Sequence, residues 1–430
     1  MIADQYEALK AAVEGNWATQ VAWLQRLVRF PSVRGAETEC QDWLCAEFKG
    51  RGWEIDRYTL ADVDLQSVPG YAPMVDVEQD QSVQVVATVP SGNPGGRSLI
   101  LQGHVDVVPA GPEALWTEPP FGGVVRNGWL FGRGAQDMKT GISALVFALD
   151  AIEACGFRLN APVYLQTVTE EESTGNGALS TLVRGYRADC CLIPEPTNNT
   201  ITRAQSGAIW FRLCVRGKPV HVARAQSGSN AILSTYALIK ALQELTAELN
   251  DAAKANPWFG DIPDPIKFNV GVIKGGDWAS STPSWCHADC RIGLLPGQSV
   301  QQIRDAVTDC VRRASRADPF LAEHPAEIVW NGFIADAAVL KPGSEAERIL
   351  SAAHRSVFAT SMAERLSTAV NDTRYYTLHQ RIPALCYGPA GKGMHGFDER
   401  ADLENLKKTT LVIASFIADW CGIGSSPSQE

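Results

Sequence analysis

The sequence predicts an α/β fold in which a mixed sheet is sandwiched by helices, with a second, ferredoxin-like α+β domain inserted into it. Three observations predict this fold. Short β-type runs alternate with helical runs over the first 206 residues, a strand-helix-strand-strand-helix-strand order follows from about Gly207, and the first pattern returns after Lys341-Pro342-Gly343. At 430 residues the chain is also long enough for two domains with separate cores.

The first domain opens with two helical segments. Apolar residues recur at helical spacing over residues 17–30 and 36–50, and again in GISALVFALDAIEACG and GALSTLVRG. Four strand-like apolar runs separate or follow these helices: VQVVATV, SLILQGHVDVV, PVYLQTVT and DCCLIPEP. The helix EAERILSAAHRSVF, the strand PALCYG and a closing helix complete the pattern. We therefore expect a discontinuous first domain, residues 1–206 and 336–430.

The inserted domain is expected to span residues 207–335. Its strands are AIWFRLCVRG, IKFNVGVIKG, SWCHADCRIGLL and AEIVWNG, and its helices are SNAILSTYALIKALQELTAEL and SVQQIRDAVTDCVRRAS. This βαββαβ order is typical of a ferredoxin-like unit. The polar C-terminal tail GSSPSQE is expected to be disordered.

The net charge of the chain indicates which class of partner it binds. The chain has 38 basic and 48 acidic residues, a formal net charge of −10, and no Lys/Arg cluster. We therefore expect a small-molecule substrate, with neither a nucleic acid nor a membrane as partner. The N-terminus lacks an apolar signal segment, and the eleven cysteines are scattered without paired CxxC spacing. These features predict a cytoplasmic protein with reduced thiols.

The first candidate site residues end an apolar strand. In SLILQGHVDVVPAG, the two-residue period of a strand places His104 and Asp106 on the same face. A metal-bound imidazole needs an acceptor for its second ring nitrogen, and an aspartate two residues away can supply it. A buried, hydrogen-bonded histidine is the more common use of such a pair, so this motif alone does not identify a metal site.

Two further segments supply carboxylates. Glycines surround Asp137 just before a helix, which places it in a tight loop where it could bridge two metals or simply cap the helix. In PVYLQTVTEEESTGNG a strand ends at Glu170-Glu171-Glu172, and adjacent acids repel one another unless a cation compensates them. One glutamate could then bind a metal while its neighbour serves as general base, although a solvated acidic turn is an equal alternative.

Glu195 and His395 complete a set of five donors. Glu195 ends the strand in CLIPEPTN, and His395 lies in the glycine-rich segment YGPAGKGMHGFDER. Donors that stand at the ends of strands of one sheet are expected to share a site. Zinc accepts histidine and carboxylate ligands, and one bridging aspartate would allow two ions.

These motifs, in this order, resemble the dinuclear zinc peptidase and deacylase family of acetylornithine deacetylase, succinyl-diaminopimelate desuccinylase, aminoacylase and glutamate carboxypeptidase. The resemblance covers nearly the whole chain and implies a zinc exopeptidase-like fold with two divalent ions, Zn²⁺ or alternatively Co²⁺ or Mn²⁺. The implied roles follow residue by residue. The metal ligands are His104, Asp137 as the bridge, Glu172, Glu195 and His395, with Asp106 behind His104 and Glu171 as general base.

The inserted domain resembles the family too, through VRGKPVHVARAQSGSNAI. The resemblance implies a homodimer in which His221 reaches the partner's active site and stabilises an oxyanion. It also implies carboxylate recognition by Arg374 and Arg291, although a simple pairing with Asp372 or Asp289 is an equal alternative for each arginine. Ser280 stands where many relatives have a substrate-contacting asparagine, which leaves the specificity open.

The expected function is therefore hydrolysis of the amide bond of a small carboxylate-bearing substrate, with an N-acyl-amino-acid deacylase of the acetylornithine deacetylase type as the leading hypothesis. A dipeptidase or carboxypeptidase, or a hydrolase of another non-peptide C–N bond, would use the same site. A non-catalytic metal-containing binding protein is disfavoured because no ligand is missing and Glu171 is present. A zinc-dependent nuclease or phosphatase is disfavoured by the acidic balance.

Overall fold

The computed structural model of the chain describes residues 3–92 and 95–425, so most of the polar tail that was predicted to be disordered lies outside the described residues. The α-helices are α1 Ala3–Arg29, α2 Thr38–Gly50, α3 Thr140–Ala154, α4 Asn176–Val183, α5 Ala231–Ala253, α6 Val300–Arg316, α7 Pro319–Glu323, α8 Glu345–Phe358, α9 Thr373–Tyr375 and α10 Leu403–Cys421. The segment Tyr376–Gln380 forms a π-helical turn, and Ala135–Lys139 forms a turn whose backbone is not helical at Asp137 and Met138.

The strands alternate with these helices. They are β1 Glu54–Thr59, β2 Val83–Val89, β3 Leu99–His104, β4 Val124–Arg126, β5 Trp129–Phe131, β6 Phe157–Leu159, β7 Val163–Val168, β8 Cys190–Ile193, β9 Ile201–Gln205, β10 Gly207–Arg216, β11 Phe268–Gly275, β12 Trp285–Leu294, β13 Glu327–Ala335, β14 Ala338–Val339, β15 Glu364–Ser367, β16 Ala384–Cys386, β17 Gly391–Lys392, β18 Arg400–Asp402 and β19 Ile423–Ser425.

The largest sheet has six strands in the order β1-β2-β7-β3-β8-β16. The first two pairings are antiparallel and the other three are parallel, so the predicted mixed sheet is confirmed. Side chains alternate along each strand between two cores. In β3, Leu99 and Leu101 pack in the core that contains α1, α3 and α10, whereas Ile100 packs in the core that contains α4. Helices therefore cover both faces of this sheet.

The first helix is longer than predicted, because it begins at Ala3 and not at residue 17. Its buried face includes Leu9, Val13, Leu24 and Leu27, but Gln20 interrupts this apolar stripe. The Gln20 amide is buried and donates a 2.8 Å hydrogen bond to Thr410 Oγ1. A polar residue whose partner lies 390 positions away in the sequence cannot be recognised as a core residue from the local pattern.

The second sheet follows the predicted βαββαβ order. Its four strands, β11-β12-β10-β13, are all antiparallel, and α5 and α6 pack with them in a separate apolar core. This arrangement supports the proposed inserted domain at 207–335, whose boundaries remain a proposal. Among the strands of the described residues, β11 is paired on one side only, which leaves it as a free edge.

Two global features complete the description. In residues 3–92 and 95–425, no helix has the combination of length and apolar character that a bilayer crossing requires. All eleven cysteines have free thiols, and all except Cys155 and Cys214 are buried.

Candidate metal centre

The five predicted metal donors meet at one edge of the six-stranded sheet. His104 is the last residue of β3, Glu172 lies in the turn after β7, and Glu195 follows the end of β8 by two residues. Because β7, β3 and β8 are parallel neighbours, their carboxyl ends lie together. Asp137 comes to this edge from the turn Ala135–Lys139 before α3, and His395 comes from the loop between β17 and β18.

Asp137 lies between the two histidines. One of its oxygens, Oδ1, is 3.2 Å from His104 Nε2, and the other, Oδ2, is 3.4 Å from His395 Nε2. The ligand atoms of His104, Asp137 and Glu195 all lie within 4.8 Å of one another, and so do those of Asp137, Glu172 and His395. Asp137 is therefore common to two groups of three donors, which is the arrangement that a bridging carboxylate requires.

The charge of this cluster fits bound cations. Asp137, Glu171, Glu172 and Glu195 are four acids in one largely buried site, accompanied by only two imidazoles. Burial raises the pKa of Glu171 and of Glu195 well above the usual range, and the charges of neighbouring acids raise them further. Glu195 Oε1 is buried and has no hydrogen-bond partner in the described part of the chain. Divalent cations would compensate the acids and use this free oxygen.

Asp106 organises the site from behind. The backbone N–H groups of Glu171 and Glu172 donate to its Oδ1 and Oδ2, at 3.3 and 3.0 Å. His104 Nδ1 is 2.9 Å from the Asp106 backbone carbonyl and 3.6 Å from Oδ1. With its proton on Nδ1, the imidazole turns the lone pair of Nε2 toward Asp137. Asp106 therefore lies behind His104, and it also fixes the backbone of the two glutamates.

Glu399 was not predicted, yet it holds Asp137 in place. Its buried carboxylate accepts the backbone N–H groups of Gly134, Gln136 and Asp137 at 2.8–3.0 Å and a 2.6 Å hydrogen bond from Arg133 Nη1. These bonds fix the turn from which Asp137 projects. Glu399 belongs to no spacing pattern, so nothing in the sequence distinguishes it from an ordinary surface acid.

The three adjacent acids after β7 have different partners. Glu170 has a φ of +70° and pairs with Arg34, whose Nε and Nη2 lie 2.5 and 2.8 Å from its two carboxylate oxygens. Glu171 Oε2 lies 3.9 Å from His104 Nε2, and Glu172 Oε1 lies 3.0 Å from His395 Nε2. An arginine therefore compensates Glu170, which leaves the other two acids to the metal centre.

His221 and Ser280 lie together, apart from this cluster. His221 is exposed at the start of a short 3₁₀ turn, and its Nδ1 accepts a 3.2 Å hydrogen bond from Ala223 N. The carbonyl of Ser280 accepts a hydrogen bond from Val222 N, which joins the two segments. Across the described ranges, no hydrogen bond or ion pair joins the His221 ring to the five donors. Action of His221 in the active site of a partner chain stays a prediction.

Arg374 is buried among protein acceptors. Its Nη1 and Nη2 donate 3.1 Å hydrogen bonds to the carbonyls of Asn371 and Thr174, and Nη1 lies 3.6 Å from Asp372 Oδ1. The ion pair with Asp372 that was weighed for this arginine is therefore present. Contact of Arg374 with a substrate stays a prediction.

Arg291 differs from Arg374. Asp289, the acid expected to pair with it, is bound by Arg212 at 2.6 and 3.1 Å instead. Within the described residues the guanidinium of Arg291 has no hydrogen bond or ion pair, although its backbone is part of β12. It lines a cavity of about 240 Å³ together with Arg34 and Asn331. A guanidinium without a partner in a cavity is suited to bind a carboxylate.

The chain matches known proteins over most of its length. Residues 100–419 match the model of peptidase family M20/M25/M40. An N-formyl-4-amino-5-aminomethyl-2-methylpyrimidine deformylase from Halalkalibacterium halodurans is 29% identical over 437 residues, which cover 96% of this chain and 97% of the relative. A succinyl-diaminopimelate desuccinylase from Rhodopseudomonas palustris is 29% identical over 399 residues, which cover 90% of this chain and 94% of the relative.

The fold also matches solved structures. The dipeptidase Dug1p from Saccharomyces cerevisiae superposes with a TM-score of 0.78 at 14% identity, covering 99% of this chain and 100% of that protein. At this identity the similarity establishes the fold alone. It confirms the predicted α/β architecture with its second, smaller sheet.

Proposed function

The chain belongs to peptidase family M20/M25/M40 and is a hydrolase of amide carbon–nitrogen bonds, and we propose that it deacylates small N-acyl amino acids with the help of two divalent metal ions. The observation that carries the proposal is the shared position of Asp137. Its two oxygens face His104 and His395, and each histidine has a further carboxylate beside it. This geometry suits two ions bridged by one aspartate.

The donor groups suggest which residues would hold each ion. His104, Asp137 and Glu195 would bind one, and Asp137, Glu172 and His395 the other. Zn²⁺ suits this mixture of imidazoles and carboxylates, with Co²⁺ or Mn²⁺ as alternatives. Bound there, the ions would lower the pKa of a water molecule and polarise the scissile carbonyl.

Glu171 is proposed as the general base. Its carboxylate is buried beside His104, and the hydrogen bond from its backbone to Asp106 fixes where the side chain starts. From this position Glu171 takes a proton from the attacking water and returns it to the amine that leaves. Burial raises the pKa of this carboxyl well above its usual range.

Substrate recognition is proposed to fall on Arg291, which is free to bind the carboxylate of an amino acid. Arg374 could support the same end of the substrate, since its guanidinium contacts the carbonyl of Thr174, two residues after the ligand Glu172. Ser280 is exposed and lies next to the segment that carries His221. If His221 reaches the active site of a partner chain, Ser280 of the same chain would contact the substrate in that site.

We also propose a homodimer in which His221 acts in the partner's active site and stabilises the oxyanion. The free edge of β11 supports this, because a second copy could pair with it and extend the sheet. Large apolar side chains are exposed beside that edge: Leu233 (65%), Tyr236 (60%), Ile273 (52%) and Trp278 (74%). Such a patch is typical of an interface.

The free thiols are consistent with a reducing compartment, and we propose the cytoplasm as the place of action. The sequence is acidic and contains no Lys/Arg cluster, so we propose a small-molecule substrate and no nucleic-acid partner.

Hydrolysis of a different C–N bond is the second candidate. The similarity to a deformylase along nearly the whole chain favours removal of a formyl group from an aminomethylpyrimidine. Such a substrate carries no carboxylate for Arg291. The unpartnered Arg291 therefore favours the N-acyl amino acid.

A hydrolysis screen separates these candidates. Protein reconstituted with Zn²⁺, Co²⁺ or Mn²⁺ is incubated with N-acyl amino acids, dipeptides and an N-formyl aminomethylpyrimidine, and the released amine is measured. We expect the highest kcat/KM with an N-acyl amino acid. A higher value with the pyrimidine would establish the second candidate and refute the first.

A further inference from the structure

Glu170 has an unusual backbone conformation for a residue with a side chain. Its φ of +70° lies in the left-handed region, which is unfavourable for residues other than glycine. Such residues persist where the surrounding structure holds them, and they cluster at functional sites. Glu170 directly precedes Glu171, the proposed base, and Glu172, a proposed metal ligand. The conformation of Glu170 therefore determines where these two acids point.

The other residues with a positive φ show how unusual Glu170 is. The described part of the chain contains nine such residues besides the glycines. Five of them are asparagine or aspartate, which tolerate this conformation, and Ala359 and Arg381 end helical segments. The remaining two are Glu170 and His395, and both lie in segments that supply donors to the metal centre.

The left-handed conformation closes a tight turn. The carbonyl oxygen of Glu170 accepts hydrogen bonds from the backbone N–H groups of residues 173–175, at 2.6–3.3 Å. Glu171 and Glu172 lie inside this turn, and their own N–H groups donate to the carboxylate of Asp106. The turn is thus fixed at two points, and both acids project from it.

The side chain of Glu170 is held by a distant part of the chain. Arg34, in the loop between α1 and α2, donates from Nε and Nη2 to the two carboxylate oxygens at 2.5 and 2.8 Å. Thr174 Oγ1 donates a further 2.9 Å hydrogen bond to Oε2. The Glu170 side chain is 0% exposed, so solvent screens this bidentate pair little. These contacts hold Glu170 in place and offset its unfavourable φ.

We propose that Arg34 and Glu170 are positioning residues: their ion pair keeps the backbone of Glu170 in the left-handed conformation, which directs Glu171 and Glu172 to the two ions. In this role neither Arg34 nor Glu170 is a metal ligand or a base. Without the pair, the backbone relaxes toward an ordinary φ and turns both acids away from the ions. This inference rests on the proposed function, because the two ions belong to it.

Substitutions of Glu170 separate the backbone conformation from the side chain. Glu170→Ala removes the carboxylate but keeps a Cβ atom, which disfavours a positive φ, whereas glycine adopts a positive φ readily. We expect Glu170→Ala to weaken Zn²⁺ binding by about 5–30-fold, because the backbone cost is no longer offset. Glu170→Gly should regain several-fold of this loss. Competition with a chelator, starting from metal-free protein, measures the affinities.

Ala359→Gly is the matched control for this comparison. It makes the alanine-to-glycine change at another position with a positive φ, +55°, which is exposed at the end of α8. We expect its Zn²⁺ affinity to stay within twofold of the wild-type value, because Ala359 supplies no part of the metal centre. Urea unfolding of the metal-free proteins checks the fold of each variant.

A double-mutant cycle tests the arginine. Arg34 also lines the cavity of Arg291, so Zn²⁺ affinity, which needs no substrate, is again the measurement. Arg34→Met keeps an apolar stem but removes the pair, and should weaken Zn²⁺ binding by about 10–100-fold. In Glu170→Gly protein the same change should alter the affinity by less than about threefold, because no carboxylate remains to be held.

Two results would overturn the positioning role and leave the metal centre standing. One is equal Zn²⁺ affinity of Glu170→Ala and Glu170→Gly. The other is an equal effect of Arg34→Met in the wild-type and Glu170→Gly proteins. No binding of Zn²⁺ by wild-type protein would refute both the positioning role and the metal centre.

Discussion

Asp106 offers a test of how the metal site is supported, because its carboxylate touches no proposed substrate atom. Asp106→Asn changes one oxygen into an NH₂ group at a side chain that is only 1% exposed. The carboxylate accepts two backbone N–H groups, from Glu171 and Glu172. An asparagine has a single oxygen, so one of these buried donors would face another donor.

The expected magnitude follows from that lost acceptor. Leaving one buried N–H without a partner costs about 1–3 kcal/mol, which corresponds to roughly 5–150-fold in an equilibrium constant. Changes to residues that support metal ligands typically lower metal affinity or activity about 10–100-fold. We therefore expect Asp106→Asn to weaken binding of at least one ion by about 10–100-fold while the fold persists.

A chelator-competition titration of metal-free protein measures this affinity, and circular dichroism checks the fold. Asp62→Asn is the matched control, because Asp62 also accepts a backbone N–H, from Thr59, but lies at an exposed site. Metal affinity of Asp106→Asn within twofold of the control would refute the role assigned to Asp106.

Three other predictions concern metal content, assembly and pH. His104→Ala and His395→Ala should each lower the metal content measured by elemental analysis, since each removes one donor; two ions per chain in both variants would exclude this ligand set. Mixing inactive Glu171→Ala and His221→Ala proteins should restore about a quarter of wild-type activity after random subunit exchange, whereas no recovery after verified exchange would exclude action of His221 in trans. Burial lowers the pKa of His354, so the unfolded state binds the proton more readily, and the free energy of unfolding should fall as the pH drops below about 6.5. Urea titrations at pH 7.5 and 5.5 should show a smaller fall for His354→Asn, and an equal fall would contradict this reasoning.

Much of the sheet could be predicted because its signals are local. The predicted run VQVVATV coincides with β2, and the βαββαβ order of the second unit follows from apolar periodicity within single elements. Short strands such as β14 and β17 were missed, since two residues carry no period. The burial of Gln20 in α1 could not be predicted either, because its partner Thr410 is distant in sequence.

Some residues of the site could likewise be predicted from local patterns, and others could not. His104, Glu172 and Glu195 follow recognisable apolar strands, so their meeting at one edge could be predicted from topology. Glu399 could not be found, because its role lies in tertiary contacts: its carboxylate accepts several hydrogen bonds from the turn that carries Asp137. The pairing of Asp289 with Arg212 instead of Arg291 depends on strand register, which a single sequence leaves open.

The most direct test of the central claim, that Glu171 acts as a base beside two bound ions, is the metal content and kcat of Glu171→Gln measured on the same preparation. The amide keeps the size of the side chain but cannot accept the proton from water. We predict two ions per chain, as in wild-type protein, and a kcat lower by about a hundredfold or more. Loss of an ion would show that Glu171 is a ligand, and an unchanged kcat with both ions bound would show that another group is the base.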